Sequence, residues 1–429
     1  MKKTTIKKPL PVEWSKNLTI YEVNLRQYSY GGTFKEFELH LPRLKELGVG
    51  ILWFMPIQPI GKKKRKGSLG SYYSLQNYVE VNSEHGTLDE FKELVKKIHE
   101  MGMFVLLDWV ANHTSWDHIW TKNRPDFFTQ DKNGNFKPPV AEWEDVIELN
   151  YENRELRKQM LDSMKFWLEE TDIDGFRCDM AHLVVKDFWD NARQELDKIK
   201  PVFMLAESED RNLLKMAFDM IYNWNIHHIT NKIAKGTMNV YDIDDMLAHE
   251  IHDFPQNSYQ MLFTSNHDEN SWNGSAIQRL TYGLEVFNVL MFTLNGMPLI
   301  YSGQEAGNYR QLDFFEKDPI EWKKDKMTDF YKILIELKRQ NKALWNGPYG
   351  GDFIRIHTSQ GDSVFSFIRK KDKNQVVAIL NFSEKEQVIS SDWDFLTGEY
   401  INVFTKGKVI FTPKANLRLE PFGYRIFCK

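Results

Sequence analysis

Eight short apolar runs, each followed by a longer segment in which apolar residues recur every three or four positions, fill the chain from Ile20 to about Arg339. Short buried strands separated by crossover helices demand a parallel sheet. The candidate strands are Ile20–Asn24, Val49–Phe54, Phe104–Asp108, Gly175–Asp179, Val202–Glu207, Phe218–Ile221, Gln260–Thr264 and Leu299–Gly303. Between them the helical period predicts helices such as Thr33–Leu47, Leu88–Met101, Arg154–Glu170, Asp187–Ile199 and Ser275–Leu294. Eight such units predict an α/β fold of the (β/α)8 TIM-barrel type. After Asp108 about 45 residues pass before the next helix, with Pro125, Gly134, Pro138 and Pro139 among them. Loops of that length are usually functional. Beyond Trp345 the pattern changes to short β-rich runs, Ser363–Arg369, Gln375–Asn381 and Tyr424–Cys428. The expected domains are therefore a barrel from 1–112 and 151–344, an inserted loop domain at 113–150, and a C-terminal antiparallel β-sandwich at 345–429.

Composition narrows the function classes. A net charge of −4 with both signs interspersed leaves no electrostatic footprint for nucleic acid. The basic run Lys62 to Lys66 reads as a solvated loop. Cys178 and Cys428 are too few for a disulfide framework. Met1 to Pro11 lacks the apolar stretch of a secretory signal, and no run reaches the ~20 apolar residues of a membrane span. The chain as given reads as cytoplasmic and without a membrane partner, or as secreted or periplasmic if a signal peptide was removed.

In a parallel barrel the active site forms at the C-terminal ends of the strands, so polar residues that close apolar runs are informative. Phe104-Val-Leu-Leu-Asp108 leads into Asn112-His113, and Gly175-Phe-Arg-Cys-Asp179 ends in an acid. Val202 to Glu207 ends in another, and Met261 to Asn266 runs into His267-Asp268. Arg177 and Asp179 are two apart, which places both on one face of a strand. Singly, each of these acids is more often part of an ordinary ion pair. Together they crowd like charge into a low-dielectric cleft and must raise at least one pKa. An ionised nucleophile beside a protonated acid is what a retaining glycosidase needs.

These segments resemble the signature stretches of the α-amylase family. Asp108-Trp-Val-Ala-Asn-His113 resembles its first, Gly175-Phe-Arg-Cys-Asp-Met-Ala-His182 its second, Glu207 opens its third and Asn266-His267-Asp268 lies in its fourth. Gly48 to Pro56 and Gly296 to Glu305 are similar to the family's second and eighth strands. The resemblance implies Asp179 as nucleophile, Glu207 as general acid/base and Asp268 as a third carboxylate gripping the distorted sugar. It implies Tyr73, His113, Arg177, His182 and His267 as substrate contacts, with Tyr73 rather than Tyr72 stacking on the ring and Asp108 supporting Arg177. The implied activity is hydrolysis of α-1,4 bonds in starch-like glucans or maltooligosaccharides through a covalent glycosyl intermediate. The chemistry requires no cofactor.

Two departures bear on that expectation. Many family members hold a structural calcium between barrel and insert. Here Asn112 and His182 stand at the first and last ligand positions, while Glu148 replaces the usual Asp. Asp131-Lys-Asn-Gly-Asn135 reads as a turn, not a calcium loop. Ala181 replaces a lysine that often precedes His182, which leaves endo or exo action open. Three other readings stand beside hydrolysis: an α-glucan transglycosylase or α-1,6-glucosidase using the same intermediate, a non-catalytic sugar binder, and a metallohydrolase built on the same His and carboxylate set.

Overall fold

A computed structural model describes residues 10–391, 393, 396, 398–412 and 416–429, with the side chains of 251–253 left aside. Residues 1–9, most of the segment read above for a signal, lie outside the described residues.

Eight parallel strands close a barrel: β1 (Ile20–Val23), β2 (Ile51–Phe54), β3 (Phe104–Trp109), β4 (Gly175–Cys178), β5 (Phe203–Ala206), β6 (Met220–Tyr222), β7 (Tyr259–Leu262) and β8 (Met297–Tyr301). Each pairs with its neighbours in sequence, and β8 closes on β1 with Ile20 beside Leu299. The alternation of side chains divides the strands into two cores. Inward residues such as Ile51, Leu106, Leu205, Met261 and Leu299 fill the barrel. Outward ones such as Leu52, Leu107, Phe176 and Met204 belong to a separate core that includes helix residues.

Two expected helices are broken, each by local chemistry. Thr33–Leu47 divides into Phe34–Glu38 and Leu41–Leu47, because Pro42 at the start of the second piece cannot continue a helix. Ser275–Leu294 divides at Thr281, whose φ of 52° is left-handed. Helix Leu88–Glu100 starts on a capping box between Thr87 and Glu90.

After β3 the inserted segment forms a ribbon of His113–Ser115 with Val146–Glu148, in which His113 faces Glu148. Asp131 closes a turn, its Oδ1 accepting the Asn133 and Asn135 N–H groups. At the C-terminus, strands Asp352–Ile356, Val364–Lys371, Asn374–Asn381, Tyr424–Cys428, Glu399–Asn402 and Lys408–Ile410 form a six-stranded antiparallel sheet in that order. One face, with Phe365, Phe367 and Ala378, joins the barrel's outer core, where Phe382 stacks on Phe287 at 4.9 Å. The other face packs under a two-stranded layer, Gln387–Ser390 with Asn416–Leu419, through Ile379, Ile389 and Leu419. Among the described residues no helix is long and apolar enough to cross a membrane.

Candidate active site

Inside the barrel the alternation runs from apolar floor to charged mouth. On β1 Ile20 is followed by Glu22, and on β3 Leu106 by Asp108. Arg177 and Asp179 extend along β4, and Leu205 and Glu207 along β5. Gly175 is what lets β4 seat against β5. A Cβ at that position, with φ of 154°, would stand 1.9 Å from the Phe203 carbonyl oxygen.

Arg177 is wholly buried at the centre of this mouth. Its Nη1 donates to Asp108 Oδ1 at 3.0 Å and to Asp179 Oδ1 at 3.1 Å, and its Nε donates to the Tyr222 hydroxyl at 3.1 Å. Its Nη2 lies 3.0 Å from Glu207 Oε2 but out of line for a hydrogen bond. One guanidinium thus serves three carboxylates, not Asp179 alone as the Arg-x-Asp spacing suggests. Asp108 also accepts from Trp53 Nε1 and from the Tyr73 hydroxyl, each at 3.1 Å. Burial pushes its pKa up to about 6 against the pull of Arg177, so it is ionised at neutral pH.

Asp179 and Glu207 are held against the same guanidinium, Asp179 Oδ1 at 3.1 Å from Nη1 and Glu207 Oε2 at 3.0 Å from Nη2. Burial and the Glu207 charge raise Asp179 well above the usual carboxylate range, and its Oδ2 has no partner. Burial acts to raise Glu207 as well, but Arg177 and the Met180 N–H, which donates to Glu207 Oε2 at 2.9 Å, hold it below that range. Met180 takes a left-handed φ of 42°, a costly conformation for a side-chain-bearing residue, at the position that aims this N–H. The two acids are therefore pushed in opposite directions and titrate as a pair.

Around the pair, His267 Nε2 lies 3.3 Å from Asp268 Oδ2 and 2.8 Å from the Tyr73 hydroxyl, whose ring stacks on the imidazole at 5.3 Å. His113 Nε2 stands 4.0 Å from Asp179 Oδ2. Burial lowers the His113 pKa to about 4, so this ring is neutral. Tyr73, His113, Asp179, Glu207, His267 and Asp268 line one cleft of about 430 Å³, within the range of small-ligand pockets.

Other expectations fall outside that cleft. Tyr72 turns away to bond Asn24 and lies under Arg26. His182 sits exposed on the turn after β4 and is not among the side chains that line the cleft, although Met180 two residues before it is. Of the two expected oxygen donors, Glu148 lies opposite His113 in the ribbon. Asn112 turns its amide nitrogen toward His113 Nδ1 at 3.3 Å, and among the described residues no three His, Cys, Asp or Glu side chains converge to hold a metal.

Several site residues have no counterpart among those singled out by sequence. Glu22 bonds His267 from β1, and it carried the same signal as the others, an acid within an apolar strand. Trp53 lay within a candidate strand and Tyr222 just beyond the end of another, with nothing to mark either. Lys66, read as part of a solvated loop, reaches the cleft rim and pairs with Asp145 at 3.1 Å. Trp143, Trp272, Phe314 and Phe315 add an aromatic rim.

This constellation can be set against known proteins. The family model described as alpha amylase, catalytic domain, matches residues 16–143 and 140–343. The chain belongs to the alpha-amylase family. It is accordingly an enzyme that acts on O-glycosyl bonds. A noncanonic maltogenic alpha-amylase, AmyB from Thermotoga neapolitana, is 30% identical with a TM-score of 0.89, over 97% of this chain and 99% of that one. An alpha-amylase from Lactobacillus plantarum is 29% identical with a TM-score of 0.87, over the same shares. The maltogenic alpha-amylase of Bacillus acidopullulyticus is 27% identical over 85% of this chain and 67% of its own length.

Proposed function

We propose that this amylase-family enzyme hydrolyses α-1,4 bonds in glucans or maltooligosaccharides with retention, Asp179 attacking the anomeric carbon and Glu207 protonating the departing oxygen. The observation that carries the reading is the arginine the two acids share, with Asp179 Oδ1 at 3.1 Å from Arg177 Nη1 and Glu207 Oε2 at 3.0 Å from Nη2. A retaining pair stands about 5–5.5 Å apart and an inverting pair about 6.5–9.5 Å, the room a water needs between its acids.

The residues divide the work as follows. The unpartnered Asp179 Oδ2 forms the bond to carbon as the glycosidic C–O bond breaks, and a proton carried by the pair passes to the leaving oxygen through Glu207. Transfer of that proton from Asp179 to Glu207 frees Asp179 to attack. Glu207, then ionised, takes a proton from water as the water oxygen displaces Asp179 from the same carbon. Asp268 and the Nε2 of His267 face the sugar hydroxyls, and Arg177 balances the carboxylate charge throughout. Relatives named maltogenic alpha-amylase and cyclomaltodextrinase support α-linked glucose oligomers as the substrate class.

The aromatic rim favours a competing outcome. Trp272, Phe314 and Phe315 offer flat apolar faces on which a second sugar can stack and intercept the intermediate in place of water. A product time course on maltoheptaose with the anomeric configuration read by NMR tests both. Hydrolysis with retention releases the α-anomer first, and transfer adds products longer than the substrate. First appearance of the β-anomer overturns the double displacement.

A further inference from the structure

Glu22 takes no part in the two displacements, yet it is wholly buried beside the residues that perform them. Its Oε1 is bonded to His267 Nδ1, and its Oε2 has no partner, so the charge of Glu22 is directed at one imidazole. A carboxylate at that distance accepts, which puts a proton on Nδ1.

The other ring nitrogen has no acceptor role left. Nε2 lies 2.8 Å from the Tyr73 hydroxyl and 3.3 Å from Asp268 Oδ2. Tyr73 has one proton, and it goes to Asp108 Oδ2 at 3.1 Å. With the Tyr73 proton on Asp108 and Asp268 ionised, both groups at Nε2 accept, so Nε2 carries a proton too. We propose that Glu22 is a positioning residue that holds His267 as an imidazolium, so that a charged Nε2–H is presented to Asp268 and to the sugar bound there. This deepens the hydrolase reading and rests on it for its kinetic consequence only.

The surrounding charges agree. The groups facing the ring are Glu22 from β1, Asp108 from β3, Arg177 from β4, Glu207 from β5, its own neighbour Asp268 and the neutral Tyr73. Four acids oppose one guanidinium. Burial by itself would lower the His267 pKa, but Asp268 and Glu22 overcome it and push the ring up to about 9. Burial also raises Glu22, while the charge and hydrogen bond of His267 draw it down.

Two experiments on the full chain test the assignment. In protein labelled with ¹⁵N at histidine, the His267 signals, assigned by their loss in His267→Gln, should show both nitrogens protonated at pH 7.5. In Glu22→Gln they should show one. Kinetically, Glu22→Gln should move the alkaline limb of kcat/KM down by about 1–3 pH units, the usual effect of removing an opposite charge at contact distance. Activity near pH 5 should stay within a few-fold of wild type. Glu22→Asp, which keeps the charge, should recover part of the shift. A single protonated nitrogen in the wild-type His267 at pH 7.5 overturns the proposal, whatever the variants do. So does a Glu22→Gln profile scaled down equally at every pH, which is the mark of lost packing. If the NMR result holds in a chain that cleaves no glucan, the function assignment fails and the Glu22 role stands.

Discussion

The floor and the mouth of this barrel are made by the same strands, two residues apart, and they are built on opposite principles. At the floor, Leu106, Leu205, Met261 and Leu299 fill the interior with nothing left to satisfy. At the mouth, Asp108, Asp179 and Glu207 crowd one arginine, and Asp179 Oδ2 and Arg177 Nη2 are left without hydrogen bonds. Stability explains the floor. Buried like charges with orphaned atoms lower stability, so their arrangement is intelligible only as chemistry held ready.

The largest expected effect follows at the mouth. Asp179→Asn keeps the shape, removes the attacking oxygen anion and relieves repulsion with Glu207. Turnover should fall on the order of 10⁴-fold or more, while the thermal midpoint stays level or rises. Initial rates on a maltooligosaccharide, with a melting curve beside them, check both. A variant that loses activity and unfolds at much lower temperature would break the contrast.

At the floor the effect should reverse. Leu205→Ala deletes a wholly buried side chain one inward position below Glu207. It should cost about 2–5 kcal/mol of stability in denaturant unfolding and leave kcat within a few-fold, since it bears on no reacting atom. A loss of turnover as large as that of Asp179→Asn, in folded protein, would mean the floor positions the acids so tightly that the two layers are not separable.

How much of this was legible in the chain follows from the same contrast. Eight apolar runs are a local signal, and the strands appear where those runs lie, displaced by a residue or two at ends such as Gly303 and Thr264. The acids that close runs were visible for the same reason. What was not legible depends on partners distant in sequence. Nothing in Ile20 to Val23 announces that Glu22 meets a histidine 245 residues away, and nothing in the lysine-rich run singles out Lys66 from its neighbours. His182 stands in a matching segment, but the backbone turn after Met180 carries it out to solvent. The sharing of Arg177 among three acids depends on the registers that bring Asp108 beside Arg177 and Arg177 beside Leu205, and no linear pattern encodes those.

A smaller effect sharpens the electrostatic half of the contrast. His267 has a folded pKa of about 9, raised from the ordinary 6.5. The folded state thus holds its proton more tightly than the unfolded chain does, and the resulting stability is complete below about pH 6.5 and lost as pH rises through about 9. Unfolding free energy measured from pH 6.5 to 9.5 should therefore decline, and decline less steeply in His267→Gln. Parallel curves for the two proteins would place the alkaline loss elsewhere in the cluster.

The smallest effect is expected where the insert meets the barrel. A calcium ion there would need about six to eight oxygen ligands, and several nearby carbonyls already accept hydrogen bonds. The Tyr78 hydroxyl donates to Val110 O at 2.7 Å, the Tyr151 hydroxyl to Ala111 O at 2.8 Å and the Leu149 N–H to Asn112 O at 3.0 Å. These bonds tie the segment after β3 to the loop after β2 and to the end of the insert, the task an ion would otherwise perform. Thorough chelation should then leave both the melting temperature and the rate unchanged. Tyr151→Phe should lower stability by about 1 kcal/mol with or without chelator, the worth of one buried hydrogen bond. A fall in melting temperature on chelation, reversed by calcium, would show that Asn112 and Glu148 do assemble a site when the ion is offered, and that hydrogen bonds alone do not hold the insert.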